Sequence, residues 1–216
     1  MDYLQILYCT LLAYLIGSIP TSVWLSKLYY GIDIREHGSG TASHLNVSRV
    51  LGKKSAYLVR FIDIAKGFAA ANLAYFFHNQ YGIFSDFELP ILKMCFGLAA
   101  IVGHIFPIFA GLRGGKGFHA SIGVLIAINP LASIILVQIT ALIEGMFRYP
   151  NLGYVAGAIS LPVFVLLSKP GMEEFYYLPT LVFSFFFSGM LMLTHRHNLL
   201  RILKHGDDHR MSTIGF

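Results

Sequence analysis

The strongest constraint on how this chain folds is a set of apolar runs with few or no charges: Tyr3–Trp24, Leu89–Leu112, Pro130–Phe147 and Leu178–Leu193. About 20 apolar residues in a helix cross the hydrocarbon core of a bilayer, and these runs approach or meet that length. The composition agrees. Of the 216 residues, 56% are hydrophobic and 12% are charged, and soluble domains carry roughly twice that charged fraction. A soluble globule is therefore disfavoured. No Lys or Arg precedes the first run and no small-residue cleavage pattern follows it, so the first helix is expected to be retained. Cys9 and Cys95 both lie in apolar segments, where a thiol acts as a small hydrophobe and indicates neither a disulfide framework nor a metal knuckle.

Seven spans are expected: Leu4–Leu28, Ser55–Phe77, Leu89–Leu112, Phe118–Asn129, Pro130–Phe147, Gly153–Leu167 and Phe175–Thr194. Lys27, Arg35, Arg49, Lys53, Lys54, Arg113, Lys116, Arg148, Arg196, Arg201, Lys204 and Arg210 fall on one side of such an arrangement. By the positive-inside rule that side is cytoplasmic. Asp2, Asp86, Glu88, Glu173 and Glu174 fall on the other, with Lys169 as the cation among them. The N-terminus then faces out and the C-terminus faces the cytoplasm. The net charge of +5 is explained by this topology, not by a nucleic-acid partner. Without repeats or long linkers, residues 1–216 are expected to form one all-α bundle.

Three stretches on the basic side combine glycine, cations and hydrogen-bonding groups. The first, Asp33-Ile34-Arg35-Glu36-His37-Gly38-Ser39-Gly40-Thr41 followed by Asn46 and Arg49, can crowd backbone N–H groups and a hydroxyl around an anion. A flexible turn explains Gly-Ser-Gly equally well. The second runs from Gly103-His104-Ile105-Phe106-Pro107 into Arg113-Gly114-Gly115-Lys116-Gly117. A glycine turn at a helix start presents N–H groups and the positive dipole end, with Lys116 as a point charge for phosphate. The glycine spacing is wrong for a Walker loop, so nucleotide hydrolysis is disfavoured. Membrane anchoring explains Arg113 and Lys116 equally well when this stretch is taken alone, and His104 reads equally as a helix-end residue. The third is Thr194-His195-Arg196-His197-Asn198-Leu199-Leu200-Arg201, where helical spacing puts His195 and Asn198 on one face. Arg196, Lys204 and Arg210 read as a basic tail on anionic lipid.

Charges within a span must find partners. Arg60, Asp63 and Lys66 recur at intervals of three and are expected to neutralise one another along one helix face, with Asp63 structural and Lys66 also a candidate for the cytoplasmic pocket. Glu144 precedes Arg148 by four residues, the favourable order for a helical ion pair. No carboxylate pair at a spacing that suggests acid–base work, and no His-Glu-x-x-His or Cys-x-x-Cys motif, is present in the three stretches, so neither paired acid–base work nor metal catalysis is supported. The chemistry indicated is positioning and anion stabilisation.

Taken together, Gly17-Ser18-Ile19-Pro20-Thr21, Asp33-Ile34-Arg35, Gly38-Ser39-Gly40, Gly103-His104-x-Phe106-Pro107, Gly114-Gly115-Lys116-Gly117, Arg148-Tyr149 and His195-Arg196-x-Asn198 resemble the PlsY family, the membrane acyl-phosphate:glycerol-3-phosphate acyltransferases of bacterial phospholipid synthesis. The resemblance covers nearly the whole chain. It implies seven membrane helices, a cytoplasmic active site in a bacterial cell membrane, no coenzyme A, no cofactor and no metal. It also implies acyl transfer from acyl phosphate to the 1-hydroxyl of glycerol-3-phosphate, with lysophosphatidic acid and phosphate as products. Ser39, Lys116, His195 and Asn198 would form the catalytic set and Arg49 would hold phosphate. Gly38, Gly40, Gly114, Gly115 and Gly117 would shape the turns, with Asn46 and Asn151 beside the substrate. Membrane lipids and a soluble acyl-phosphate-forming enzyme are the implied partners, the latter by functional coupling, and a monomer is expected.

The sequence departs from the family pattern in one loop. After Gly-Ser-Gly the family runs Asn-x-Gly-Ala-Thr-Asn, whereas this chain has Thr41-Ala42-Ser43-His44-Leu45-Asn46. Bulk at Ser43 and His44 is expected to limit backbone approach to an anion, and His44 is a candidate general base. Asn151 stands where the family has serine, and Phe118-His119-Ala120-Ser121 follows Gly117 where a small residue and then Ala-Thr are usual. An enzyme with a different acceptor and a binding paralogue without turnover are the alternatives these changes leave open.

Overall fold

The computed structural model describes residues 3–82, 85–86, 88–171 and 174–205. The side chains of Asp2, Glu173, Glu174, Asn198, Arg201, Lys204 and Arg210, named above, lie outside the described part. Regular structure among the described residues is helical: α1 (Tyr3–Gly17), α2 (Thr21–Tyr30), α3 (His44–Leu51), α4 (Lys53–Tyr81), α5 (Leu89–Ile105), α6 (Phe118–Ile128), α7 (Pro130–Phe147), α8 (Pro150–Leu167) and α9 (Glu174–His205), with short 3-10 turns at 34–36, 108–110 and 169–171.

Leu89–Ala110, Pro130–Phe147, Pro150–Leu167 and Tyr176–Arg196 are each long and apolar enough to cross a membrane, and α1 with α2 supplies a fifth such segment if the bent pair is one span. With 29 residues at about 1.5 Å each, α4 exceeds a hydrocarbon core of about 30 Å. With 11 residues α6 is shorter than such a core.

The first segment departs from the continuous helix expected over Leu4–Leu28. It breaks after Gly17 and restarts at Thr21 with a bend of 40°. Pro20 lacks a backbone N–H and its ring clashes with the preceding turn, so the helix stops before it. Thr21 N donates to the Ile19 carbonyl at 3.0 Å across the break.

The segment read as loop after Gly40 contains α3. Ser43 caps it, its hydroxyl accepting from Asn46 N at 3.3 Å, and the helix buries Val47 while leaving Arg49 exposed. A serine cap contributes about 1 kcal/mol to a short helix.

The chain divides into two compact units, residues 1–128 and 129–216. In the first, α1 lies on α5, and α4 lies on both α5 and α6. Lipid supplies little hydrophobic force between helices, so close backbone approach between small residues holds them together. A Cβ at Gly17 would overlap the Ala100 backbone, one at Gly67 the Ala120 carbonyl, and one at Gly123 the Ile64 carbonyl. Cys9, Ala13, Ala70, Ala74, Phe96 and Ala100 form one buried cluster, and Val23, Ile34, Val47 and Val59 belong to a second beneath α3. Exposed Leu4, Leu7, Leu11 and Leu15 make α1 apolar outside as well, as a lipid-facing helix must be.

The second unit comprises α7, α8 and α9. Asn129 caps α7 through its side-chain oxygen, which accepts from Ala132 N at 3.0 Å, and Pro130 occupies the first helical position, where a missing N–H has no cost. Gly153 and Gly157 let α8 approach Thr140 of α7. Phe183 and Phe187 stack at 6.0 Å between centroids, and the Ser188 hydroxyl donates to the Ala158 carbonyl across α8 and α9. Of the ion pair expected between Glu144 and Arg148, the structure shows a backbone link: Arg148, in the left-handed region at φ 60°, closes α7 by donating its N–H to the Glu144 carbonyl at 2.7 Å.

Candidate functional site

The first glycine loop is organised from its interior by one amide. Asn46 is fully buried; its Nδ2 lies 2.9 Å from the Ile34 carbonyl, 3.0 Å from that of His37 and 2.9 Å from that of Thr41. Its Oδ1 accepts from Ser39 N at 2.8 Å. Gly38, at φ 58°, fits because a Cβ there would overlap the Asn46 Oδ1. Asn46 therefore shapes the turn that presents Ser39, and the ligand contact expected of it is replaced by bonds to the loop backbone. The exposed Ser39 hydroxyl lies 3.0 Å from that of Thr41, which lies 2.9 Å from that of Ser43.

Arg35 joins this loop to the second one. Asp33 Oδ1 accepts from Arg35 N at 3.0 Å and Nε at 2.9 Å, and its Oδ2 accepts from Nη2 at 2.7 Å. Arg35 Nη1 then reaches the Ala110 carbonyl at 2.7 Å. Hydrogen bonding from Arg35, with Lys27 adding to it, holds the Asp33 carboxyl well below the usual carboxylate range. A second join lies at Ala42, whose carbonyl accepts from the Ser22 hydroxyl at 2.8 Å and would stand 3.2 Å from a Cβ at Gly115.

In the second loop, the N–H groups of Gly114 and Gly115 donate to the Ile105 and His104 carbonyls, each at 3.1 Å. These glycines close the end of α5, and this corrects the expectation that their N–H groups open toward phosphate. Each sits where a Cβ would strike His104, at its carbonyl for Gly114 and at its ring for Gly115. Gly117, at φ 88°, begins α6, and its carbonyl accepts from Ser121 N at 2.9 Å. Between them Lys116 is half-buried. Burial first, and the nearby Arg49 charge second, lower its ammonium to about 8. Two cations held close together generate a positive field suited to a multiply charged anion.

Beneath the two loops lies a buried polar group. Asp63 Oδ1 accepts from Lys66 Nζ at 2.8 Å and from the Thr21 hydroxyl at 3.0 Å, and His104 Nδ1 stands 3.5 Å away, an electrostatic approach longer than a good hydrogen bond. Lys66 Nζ also donates to the Ile19 carbonyl at 2.8 Å, inside the break between α1 and α2. Lys66, a candidate for the pocket, is instead interior, fixed to Asp63 and the broken helix. Arg60 does not complete the expected triad: it is exposed, 5.8 Å from the Tyr57 ring centroid.

His44 also moves from its expected place. It is 8% exposed and meets His119 edge to face at 4.2 Å. Burial first, and His119 second, hold it well below the ordinary imidazole range. Its bulk thus packs into the fold rather than over the turn before it. Among the described residues no group of three or more His, Cys, Asp or Glu side chains is arranged to hold a metal ion.

In the second unit His195 is 1% exposed. Its Nδ1 lies 3.1 Å from the Leu191 carbonyl, and its ring stands edge-on to Tyr154 at 5.9 Å. The same Nδ1 lies 3.2 Å from the Thr194 hydroxyl, so the ring is held from its own helix. Asn151 sits at the start of α8 with its Oδ1 buried.

Sequence reading missed Thr21, Thr41 and Ser43 as site-building residues. A cap signal was present for Ser43, a serine three residues before an amide-bearing residue at a helix start.

The fold and these loops define an integral membrane protein of apolar helices whose connecting loops gather glycines, hydroxyls and cations. A family model described as glycerol-3-phosphate acyltransferase matches residues 7–205. Relatives called glycerol-3-phosphate acyltransferase include those of Chlorobaculum tepidum, 36% identical over 97% of both chains, and Chlorobaculum parvum, 35% identical over 93% of this chain and 94% of the relative. A crystal structure of PlsY (YgiH), an integral membrane glycerol 3-phosphate acyltransferase in its glycerol 3-phosphate form, superposes with a TM-score of 0.81 at 32% identity, covering 97% of this chain and 96% of the other. Its lysophosphatidic acid form superposes with a TM-score of 0.78 at 31% identity, covering 95% of each. The chain belongs to the PlsY-type glycerol-3-phosphate acyltransferase family, and is an acyltransferase of membrane lipid synthesis.

Proposed function

We propose that this chain moves an acyl group from acyl phosphate to the 1-hydroxyl of glycerol-3-phosphate on the cytoplasmic side of a bacterial cell membrane. The observation that carries this reading is the half-buried Lys116, lowered first by burial and then by the nearby Arg49 charge, on a loop stapled through Arg35 and Ala110 to the turn that presents Ser39. That arrangement suits phosphate groups, the part shared by donor and acceptor.

The hydroxyl oxygen of glycerol-3-phosphate bonds to the acyl carbon while the bond from that carbon to the phosphate oxygen breaks. Inorganic phosphate leaves, and the hydroxyl proton ends on a phosphate oxygen. Lys116 and Arg49 offset charge on the leaving phosphate, and Ser39 holds the phosphate of glycerol-3-phosphate. His195 and Asn198 are assigned to the substrate phosphates in the same reading.

Phosphate release from palmitoyl phosphate by protein in lipid, with and without glycerol-3-phosphate and beside Lys116→Ala, tests it. Acceptor-dependent release that the variant loses supports the reaction. Release indifferent to acceptor points to hydrolysis or another acceptor, and no release points to a binding paralogue.

A further inference from the structure

The three hydroxyls of the altered loop form a continuous chain. Ser43 Oγ accepts from Asn46 N at 3.3 Å, lies 2.9 Å from Thr41 Oγ1, and Thr41 Oγ1 lies 3.0 Å from Ser39 Oγ. Each hydroxyl has one proton to give and lone pairs to receive. Because Ser43 Oγ receives the helix-cap N–H, its proton is available to Thr41. Thr41 can then give its own to Ser39, and Ser39 is left to donate outward. A chain of one polarity strengthens each member, and it leads from the cap of α3 to an anion in front of Ser39.

The same chain closes a clamp. Ser39 is tied to Asn46 through its N–H at 2.8 Å and, by way of Thr41 and Ser43, through its hydroxyl. Thr41 is tied there again through its carbonyl, 2.9 Å from Asn46 Nδ2. An exposed serine otherwise populates three staggered rotamers. The branched Thr41, stiff about its first torsion, selects one of them.

We infer that Thr41 is a positioning residue for Ser39: through the Ser43–Thr41–Ser39 hydroxyl chain it orients the Ser39 proton toward the phosphate of glycerol-3-phosphate. This rests on the acyl-transfer reading above, which places a substrate phosphate before Ser39.

The test compares Thr41→Val, which keeps the shape and removes the hydroxyl, with Thr41→Ser, Ser39→Ala and the double variant Ser39→Ala/Thr41→Val. Two quantities are read: kcat/KM for glycerol-3-phosphate, and calorimetric binding of glycerol-3-phosphate in the absence of donor. Losing one hydrogen bond to the reacting complex corresponds to roughly three- to tenfold. Thr41→Val is expected to lose that much in both readouts with an unchanged melting temperature, Thr41→Ser to restore most of it, and Thr41→Val to add nothing once Ser39 is alanine.

A Thr41→Val protein equal to wild type overturns the inference, as does an equal loss in the Ser39→Ala background. If wild type binds glycerol-3-phosphate but does not turn over, the acyl-transfer reading fails and the binding series alone decides the role of Thr41. If wild type does not bind it, both fail.

Discussion

At the scale of the residue, Lys116 and Asn46 do opposite kinds of work. Lys116 contributes its charge, and that charge is available only while the amine is protonated. Its value is lowered to about 8, so the protonated form dominates at neutral pH and is lost as pH rises through that value. Log kcat/KM for glycerol-3-phosphate is therefore expected to fall with unit slope above about pH 8, shifted upward to the extent that bound phosphate favours the ammonium. A guanidinium does not titrate there, so Lys116→Arg, whatever its rate, should give a flat profile. The same decline in that variant would assign the titration to another group.

Asn46 contributes geometry. Asn46→Ala leaves the 34, 37 and 41 carbonyls and the Ser39 N–H without their shared partner, and each buried group left unsatisfied costs about 1–3 kcal/mol. A large drop in melting temperature together with loss of activity is expected. Asn46→Asp should be no better, since a carboxylate cannot donate to three carbonyls. An Asn46→Ala protein with normal thermal stability and a raised KM would return the amide to a ligand role.

At the scale of the element, what matters is how loops between helices are held to one another. Asp33, Arg35 and the Ala110 carbonyl form a staple that needs both a charge and a bidentate geometry. Because Asp33 is held well below the usual carboxylate range, its ionised form is the one that folding stabilises. The staple is therefore intact at neutral pH and weakens only as pH falls below the ordinary carboxylate value toward the depressed one. Asp33→Asn is expected to cost about 1.5–3 kcal/mol near neutrality, the usual worth of bonds to a charged group, and much less in strong acid. A loss that stays constant as the solution is acidified would place the contribution elsewhere.

The sequence was legible here wherever hydrophobic length decides the outcome. The bounds of α7 match the expected segment, and α5, α6 and α8 come within a few residues apart from the 3-10 turn after α5. The break at Pro20 was missed because apolar content runs straight through it, and only backbone geometry separates a kinked span from two helices. The eight-residue α3 was missed because turn residues hid its cap. Glycine richness near Lys116 suggested a phosphate cradle, but periodicity cannot tell whether an N–H faces a ligand or closes a neighbouring helix. That is decided by the carbonyls of residues 104 and 105, and by a histidine ring packed where side chains would otherwise stand.

At the scale of the whole molecule, the proposed chemistry needs one orientation in the membrane. With Cys9 and Cys95 replaced by alanine, a Ser85→Cys variant is expected to react with a membrane-impermeant maleimide on intact cells. Arg113→Cys is expected to react only after permeabilisation. The reverse pattern would place the loops of the candidate site outside and overturn the cytoplasmic assignment. Charge asymmetry in the sequence is what this expectation rests on, whereas the partition into two compact units was not legible there, because no linker marks residue 128. Of the residues read as the site, Ser39, Arg49 and Lys116 are carried on or beside the stapled loops of the first unit, while His195 and Asn151 belong to the second.

The buried amide at position 46 also bears on how such a loop can change over generations. Its partners are main-chain atoms at residues 34, 37, 39 and 41, and every amino acid supplies a carbonyl. The path of the loop is thus largely insulated from the identities of the side chains along it. Positions 41 to 45 can change side chain, at the expense of the Ser43 cap, the Thr41 hydroxyl link and the His44 packing, while the backbone of the turn that displays Ser39 keeps its course. They are natural sites for a library that seeks new acceptors on an unchanged backbone.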